Sequence, residues 1–541
     1  MERHPAAIRA NPLLRLWPWL VVLLVLLFVG FIRYRLRDMP LERDEGEYAY
    51  AGQLILQGIP TYDLAFNMKL PGTYFAYALG MAIFGETAAG IHLTLIVVNS
   101  LTIIFVFLLA RKLFGVAAGL VACASYGVMS VSPAVLGLAA HANHFVVLCA
   151  LPATLLLFRA DDNRSIRTLF FSGLLYGLAF MMKQQGIFFV LFGGIFLLWR
   201  AIESKCVFSR DFVRRSLVFV VGAGLPFGAF CLVRFVRGDF HRFWFWTVDY
   251  ARWYATALPL QEGIAQLRKH LEQTFFLSVG FWIFAGTGLL LAAFNQRLRK
   301  PAAIVVVLWF CSFLGTAAGL YFRGHYFIIV LPAFAILMGL SVAAWQDVLR
   351  LPRLENVFQS LPLIFCGLLL YWAVFYQAQL LFQLTPLQVL QNLYAENPFQ
   401  EAVVAGDYIR EHSAPEATIA VIGSEPEIYF YAHRHSATGY IYTYALMEPQ
   451  PEALTMQHEM IQEIETNRPE YLVFVNYGLS WLPYKHSNFL ISDWATQYAD
   501  HFYGRVGVIR NEHGTVTAAW GAAAEKADIK NQCLVIYRRK E

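Results

Sequence analysis

Leu16-Trp-Pro-Trp-Leu-Val-Val-Leu-Leu-Val-Leu-Leu-Phe-Val-Gly-Phe-Ile32 is an unbroken apolar run, and Arg43-Asp44-Glu45-Gly46-Glu47-Tyr48 follows shortly after it. A helix needs roughly 20 apolar residues to cross a bilayer, so the run reads as a membrane span. The acidic cluster then lies near the headgroup interface. Carboxylates are costly there unless they bind or cap something. Arg3, Arg9 and Arg15 precede the run, and Arg33-Tyr34-Arg35 follows it where a small-residue cleavage site would otherwise stand. The expectation is an uncleaved first helix.

Composition agrees. The 541-residue chain is 58% hydrophobic and 15% charged, against about a quarter charged in soluble domains. The net charge of +5 is dispersed, and no basic run points to nucleic acid. The seven cysteines show no ligand spacing, so neither a metal site nor a redox compartment follows from them.

Further apolar segments fall at 89–110, 115–132, 144–158, 168–182, 187–200, 216–236, 272–294, 301–319, 327–345 and 361–381. With 16–32 they make about eleven spans. The shorter apolar stretch 72–84 is expected to lie along the interface. Placing the N-terminus inside puts Arg111, Lys112, Arg159, Arg200, Arg297, Lys300, Arg350 and Arg353 in inner loops, as the positive-inside bias requires. Exceptions are Arg33, Arg35, Arg37 and Arg43 in the first outer loop, with Arg237, Arg242, Arg252, Arg268 and Lys269 in a later one. Such residues are expected to work there, holding anions.

From about Thr385 the composition turns soluble. Strands are expected at 418–423, 471–476 and 532–538, and a helix over 451–467. The expected architecture is an α-helical integral membrane protein with interfacial helices in its first outer loop, plus a C-terminal soluble α/β domain. The boundary falls between 1–384 and 385–541, and the odd span number puts the tail outside.

Candidate chemistry lies in the outer loops. Residues 46–57 have helical spacing, with Tyr48, Ala51, Gly52 and Ile55 on one face. Asp44 suits an N-cap, and Glu47 the reciprocal position of a capping box. Alternatively, Asp44 is a general base. Both can hold, because a capping carboxylate keeps one oxygen free. Lys69, before Pro71, could grip a phosphate or simply snorkel. Lys183-Gln184-Gln185 ends the fifth span with a single charge at that membrane edge. His141-Ala-Asn143-His144 could offer two metal ligands, with no third near in sequence. The stretch Arg237–Tyr254 is an aromatic belt or a sugar and lipid contact surface. Arg323, next to His325-Tyr326, can hold a phosphate oxygen or a carboxylate. Gly423-Ser-Glu425-Pro-Glu427 follows a strand as nucleotide loops do, but lacks their glycine pattern.

Together these residues resemble the lipid-linked-sugar glycosyltransferases of the GT-C superfamily, on the bacterial branch of the protein O-mannosyltransferase and lipid A aminoarabinose transferase family. The resemblance rests on Asp44-Glu45-Gly46-Glu47-Tyr48, Lys69-Leu-Pro-Gly-Thr-Tyr-Phe75, Phe84-Gly85, Ala110-Arg-Lys-Leu-Phe-Gly115, Lys183 and His325-Tyr326 before Pro332. It implies transfer of a hexosyl or pentosyl group from a polyprenyl-phosphate donor to a lipid, glycan or protein acceptor. The implied reaction is an inverting one at the outer face of the cytoplasmic membrane. Asp44 and Glu45 would be the catalytic carboxylates, and Lys69, Lys183 and Arg323 the phosphate ligands. Asn143, His144, His325 and Tyr326 would be substrate contacts. Departures from the family pattern are Met68, Glu47 and Asn143-His144. They leave any divalent metal, and the choice of sugar, unassigned. The competing classes are a lipid-linked-sugar flippase or transporter and a non-catalytic lipid-glycan binding protein.

Overall fold

A computed structural model describes residues 13–350, 355–395, 397–512 and 514–540. The basic residues Arg3, Arg9 and Arg353 lie outside them. Helix α1 (Leu13–Arg35) leads into a loop that carries α2 (Arg43–Leu56) and α3 (Gly72–Phe84). Then come α4 (Ala88–Phe114), α5 (Val116–Met129), α6 (Ala142–Asp162), α7 (Ile166–Met182), α8 (Ile187–Glu203) and α9 (Arg210–Arg237). A second loop folds into α10 (Phe240–Trp244), a π-helical turn over Phe245–Tyr250 and α11 (Ala251–Thr256). The bundle ends with α12 (Leu260–Phe294), α13 (Arg299–Ala317), α14 (Leu331–Val348) and α15 (Glu355–Tyr376).

Among the described residues, eight helices are long and apolar enough to cross a membrane: α1, α4, α6, α8, α9, α13, α14 and α15. The other three expected spans fall on shorter apolar helices, namely α5, α7 and the Val279–Phe294 part of α12. Polar side chains inside the bundle bond across helices. Thr154 on α6 meets the Tyr176 hydroxyl on α7 at 2.8 Å, and the Ser172 hydroxyl donates to the Ala153 carbonyl. Hydroxyls without water must find such partners.

The C-terminal part is a mixed sheet in the order β2-β1-β3-β6-β4-β5. Its strands are β1 (Thr418–Ile422), β2 (His435–Ser436), β3 (Tyr471–Asn476), β4 (Tyr503–Glu512), β5 (Thr515–Trp520) and β6 (Cys533–Arg539). β1 runs parallel to β2 and β3, and the remaining pairs are antiparallel. The expected strands and the helix at Ala453–Asn467 are present. The β4–β5 hairpin is an addition to the sequence reading.

The first outer loop and this sheet share one apolar core. Tyr48, Tyr50 and Leu54 of α2 join Ile419, Val421 and Val473 of the sheet in it, and Tyr50 stacks on Tyr429 at 5.0 Å. Consequently α2 is not amphipathic as expected, because every residue from Glu45 to Leu54 is buried. At Gly46 the contact of α2 with the tail is tight. A Cβ there would lie 2.5 Å from Glu427 Cβ, closer than packed carbon atoms approach.

Arg33, Arg35, Arg37 and Arg43, in and beside the loop after α1, pair with groups of the protein itself. Arg33 donates to the Gly137 and Ser130 carbonyls, and Arg35 to those of Leu381 and Leu384. Arg37 pairs with Asp38. Arg43 crosses to the tail, reaching the Ser424 carbonyl at 2.6 Å, Glu425 at 2.7 Å and Asn397 at 3.1 Å. The loop at 423–427 is thereby a structural clasp, not a nucleotide loop.

Candidate active site

The capping of α2 fixes which carboxylates are free. Glu42, not Asp44, is the N-cap. Its carboxylate accepts from the Glu45 N–H at 3.0 Å, and Glu45 Oε2 accepts from the Glu42 N–H at 3.3 Å. The box therefore begins two residues earlier than the sequence reading placed it. Glu45 is spent on this box, on the Ala140 N–H at 2.5 Å and on His92 Nε2 at 3.1 Å. It is fully buried and sits behind the cavity rather than in it. That placement argues against the catalytic role expected for Glu45.

Asp44 and Glu47 are released from capping, and both reach Lys69. Lys69 Nζ lies 2.7 Å from Asp44 Oδ1 and 2.6 Å from Glu47 Oε2. The Tyr74 hydroxyl donates to the other Glu47 oxygen at 2.5 Å. Burial alone would raise the Asp44 carboxyl, but Lys69, His325 and His141 together pull it the other way and hold the group well below the usual carboxylate range. Burial pushes the Glu47 carboxyl up, with Lys69 pulling the other way. Two carboxylates thus claim Lys69, which leaves it less available to a phosphate than the sequence reading supposed.

Gly72 brings the second lysine close. A Cβ on Gly72 would sit 2.5 Å from the Met181 carbonyl oxygen, so the start of α3 packs directly on the end of α7. Lys183 follows α7 and enters the cavity that Asp44 and Lys69 line. Its Nζ donates to Asn143 Oδ1 at 2.9 Å and lies 4.3 Å from the Tyr326 ring centroid. Among the described residues no carboxylate forms an ion pair with it. Burial drives its pKa down to about 7. Arg323 exposes its guanidinium in the same cavity and is likewise without an ion-pair partner among the described residues.

His325 Nε2 lies 3.8 Å from Asp44 Oδ2, and its ring stacks on that of His141 at 4.2 Å and 16°. Burial lowers both imidazoles, His141 to about 4, so both are neutral near pH 7. Asp44, His141 and His325 each offer a ligand atom within 4.8 Å of the others. A metal ion must lie in the plane of each imidazole it binds. Two parallel rings stacked face to face cannot both meet that condition. As arranged the trio does not fit an ion, and no step is derived through one. His144 is buried in α6, away from the cavity lining; its neighbour Asn143 instead orients Lys183.

The cavity, about 240 Å³, has an aromatic far wall. Trp246 and Tyr250 of the π-helical turn, with Tyr254 and Tyr321, come from the membrane part. Tyr440, Tyr442, Tyr444, Glu448 and Tyr484 come from the tail. The stretch 237–254 is aromatic in the sequence itself. In the tail, Tyr440, Tyr442 and Tyr444 alternate along the chain, while Glu448 and Tyr484 carry no local signal.

Comparison with known proteins bears on the fold. A family model described as dolichyl-phosphate-mannose-protein mannosyltransferase matches residues 69–223. The undecaprenyl phosphate-alpha-4-amino-4-deoxy-L-arabinose arabinosyl transferase 1 of Pseudomonas fluorescens (strain Pf0-1) is 27% identical over 367 residues. That match covers 63% of this chain and 61% of the relative's length. ArnT from Cupriavidus metallidurans, bound to undecaprenyl phosphate, superposes with a TM-score of 0.58 at 15% identity, covering 96% of this chain and 98% of its own. The archaeal oligosaccharyltransferase AglB from Archaeoglobus fulgidus, in complex with an inhibitory peptide and a dolichol-phosphate, gives 0.53 at 14%, covering 96% and 76%. The chain has the fold of the GT-C membrane glycosyltransferases and resembles their protein O-mannosyltransferase and aminoarabinose transferase branch.

Proposed function

We propose that the chain is a polyprenyl-phosphate-sugar-dependent glycosyltransferase. It moves a hexosyl or pentosyl group to a lipid, glycan or protein acceptor at the outer face of the cytoplasmic membrane. One observation carries this: an ionised Asp44 shares a cavity with Lys183 and Arg323, two cations without ion-pair partners among the described residues. A phosphate is the ligand that such a pair lacks.

In this reading the donor phosphate rests on Lys183 and Arg323, while Lys69, held by Asp44 and Glu47, chiefly positions Asp44. The acceptor oxygen attacks the anomeric carbon from the side opposite the phosphate. The bond from that carbon to the phosphate oxygen breaks, and polyprenyl phosphate leaves with the electron pair. Negative charge grows on the leaving oxygen in the transition state, where the fixed cations stabilise it. Asp44 accepts the hydrogen bond from the acceptor hydroxyl and takes its proton as the new bond forms. Lys69 holds one Asp44 oxygen at 2.7 Å, and the other, 3.8 Å from His325 Nε2, is left to take the acceptor's hydrogen bond.

We assign residues 1–384 to the membrane domain and 385–541 to an extracytoplasmic α/β domain, with the N-terminus in the cytoplasm. The bundle edge opposite the cavity supports that orientation, since its loops carry Lys112–Asp162, Arg200–Asp161 and Arg297–Asp347 ion pairs. The test is sugar transfer by Asp44→Asn in proteoliposomes. Undiminished transfer would overturn the assignment.

A further inference from the structure

Among the described residues, Glu448 is the one carboxylate that the C-terminal part contributes to the cavity lining. It follows the short helix Tyr444–Met447 and is held from the membrane side, where the Tyr250 hydroxyl donates to its Oε2. No donor among the described residues reaches Oε1. Tyr250 ends the π-helical turn Phe245–Tyr250, an irregularity that often re-aims side chains at functional sites. Beside Glu448 the Tyr254 and Tyr321 rings stack at 4.5 Å and 14°, and both line the cavity.

The cavity therefore has two chemically different walls. Lys183 offers positive charge on one, and Arg323 bridges to the other, its guanidinium 5.6 Å from the Tyr321 ring centroid. Glu448 and the tyrosines offer a single acceptor and flat apolar faces on the other. A phosphate would be repelled at Glu448, so that wall does not serve the phosphate. An extra cation is not required either, because Lys69, Lys183 and Arg323 are matched by Asp44, Glu448 and the donor phosphate. A neutral polyhydroxylated ring meets both conditions: its C–H face lies on an aromatic ring, and its hydroxyls donate to a carboxylate.

We propose, resting on the glycosyltransferase reading above, that Glu448 is a specificity-determining residue that accepts a hydrogen bond from a hydroxyl of the donor's sugar. Its Oε1 is the acceptor, and Tyr250 fixes the carboxylate's direction. Burial raises the Glu448 carboxyl to about 7, and a donating hydroxyl would favour its ionised form. The tail thereby has a task in the reaction, as one wall of the sugar subsite.

The test compares binding of undecaprenyl phosphate with binding of undecaprenyl phosphate carrying a neutral hexose or pentose. It uses the full-length protein in detergent. Wild type should bind at least one sugar-bearing lipid more tightly than the bare lipid. Glu448→Ala should shrink that difference by roughly tenfold, the worth of one charge-assisted hydrogen bond, without weakening bare-lipid binding. Glu448→Gln keeps the side chain's shape and should fall between, which preserves the test if the alanine variant does not fold. An unchanged difference in both variants overturns the proposal and moves Glu448 to the acceptor. So does equal weakening of the bare lipid, or a wild type with no preference for any sugar-bearing lipid. A wild type that binds no undecaprenyl phosphate at all overturns the broader reading instead.

Discussion

Lys183 Nζ donates to Asn143 Oδ1 across 2.9 Å, and the Tyr326 ring lies 4.3 Å from the same ammonium. An amide and an aromatic face are what this cation has in place of a carboxylate. The groups that face it are Asp44 and Glu42, which favour its charge, and Lys69 and Arg323, which oppose it. Burial dominates, so the ammonium begins to lose its proton near pH 7. The sign follows. Below that value Lys183 is charged and attracts phosphate, and above it the attraction fades unless the ligand itself draws in a proton. Affinity for a polyprenyl-phosphate sugar should fall as pH rises from about 6 to about 8. That ligand is a phosphodiester, so it has no titration of its own in the range. Lys183→Arg should flatten the slope, because a guanidinium stays charged throughout. An equally steep slope in Lys183→Arg would place the titration elsewhere.

Lys69 lies between Asp44 and a Glu47 whose side chain is fully buried. Removing the cation strands that carboxylate, at a cost of about 3 kcal/mol or more. Lys69→Met should therefore lower the melting temperature sharply, and Lys69→Met with Glu47→Gln should recover most of it. Differential scanning fluorimetry in detergent measures this. If the double variant melts as low as the single one, the ion pair is not what Lys69 contributes to the fold.

Parts of this site were readable from residue order alone, and others were not. The spans, the interfacial helix at Gly72–Phe84 and the strands at Thr418–Ile422 and Tyr471–Asn476 follow from apolar runs and their lengths. The cap was misplaced because Glu42 is an uncommon N-cap and Asp44 a favoured one. Only the tertiary contact of Asp44 with Lys69 removes it from that competition. The β4–β5 hairpin escaped notice because Thr515–Trp520 is an edge strand exposed along much of its length, without a strong apolar alternation. The far wall was invisible for a different reason. Tyr250 and Glu448 meet across 198 residues of sequence, and no local spacing encodes that meeting.

The contact between α2 and the tail gives a second stability test. Gly46→Ala places a methyl group 2.5 Å from Glu427 Cβ, so backbone must move. Overpacking of this kind costs about 1–3 kcal/mol. It also displaces the helix that carries Asp44. Gly46→Ala should lower both melting temperature and transfer rate. Gly30→Ala, with nothing within 4 Å of its new methyl group, should change neither. Equal behaviour of the two variants would show that α2 and the tail are not rigidly joined.

Glu45 separates a positioning role from a catalytic one. Its carboxylate accepts from the Glu42 and Ala140 N–H groups and contacts His92. Glu45→Ala leaves those donors buried without an acceptor, at about 1–3 kcal/mol for each unsatisfied group. The variant should be markedly less stable. Its folded fraction, however, should keep kcat within a few-fold, because Glu45 does not touch the cavity. Asp44→Asn should do the reverse, keeping the melting temperature close to wild type while losing roughly 10²-fold or more in kcat. Both rates are normalised to folded protein by size-exclusion chromatography before the transfer assay. A hundredfold loss of kcat in well-folded Glu45→Ala would restore Glu45 to the chemistry and require Ala140 to move away from it during turnover.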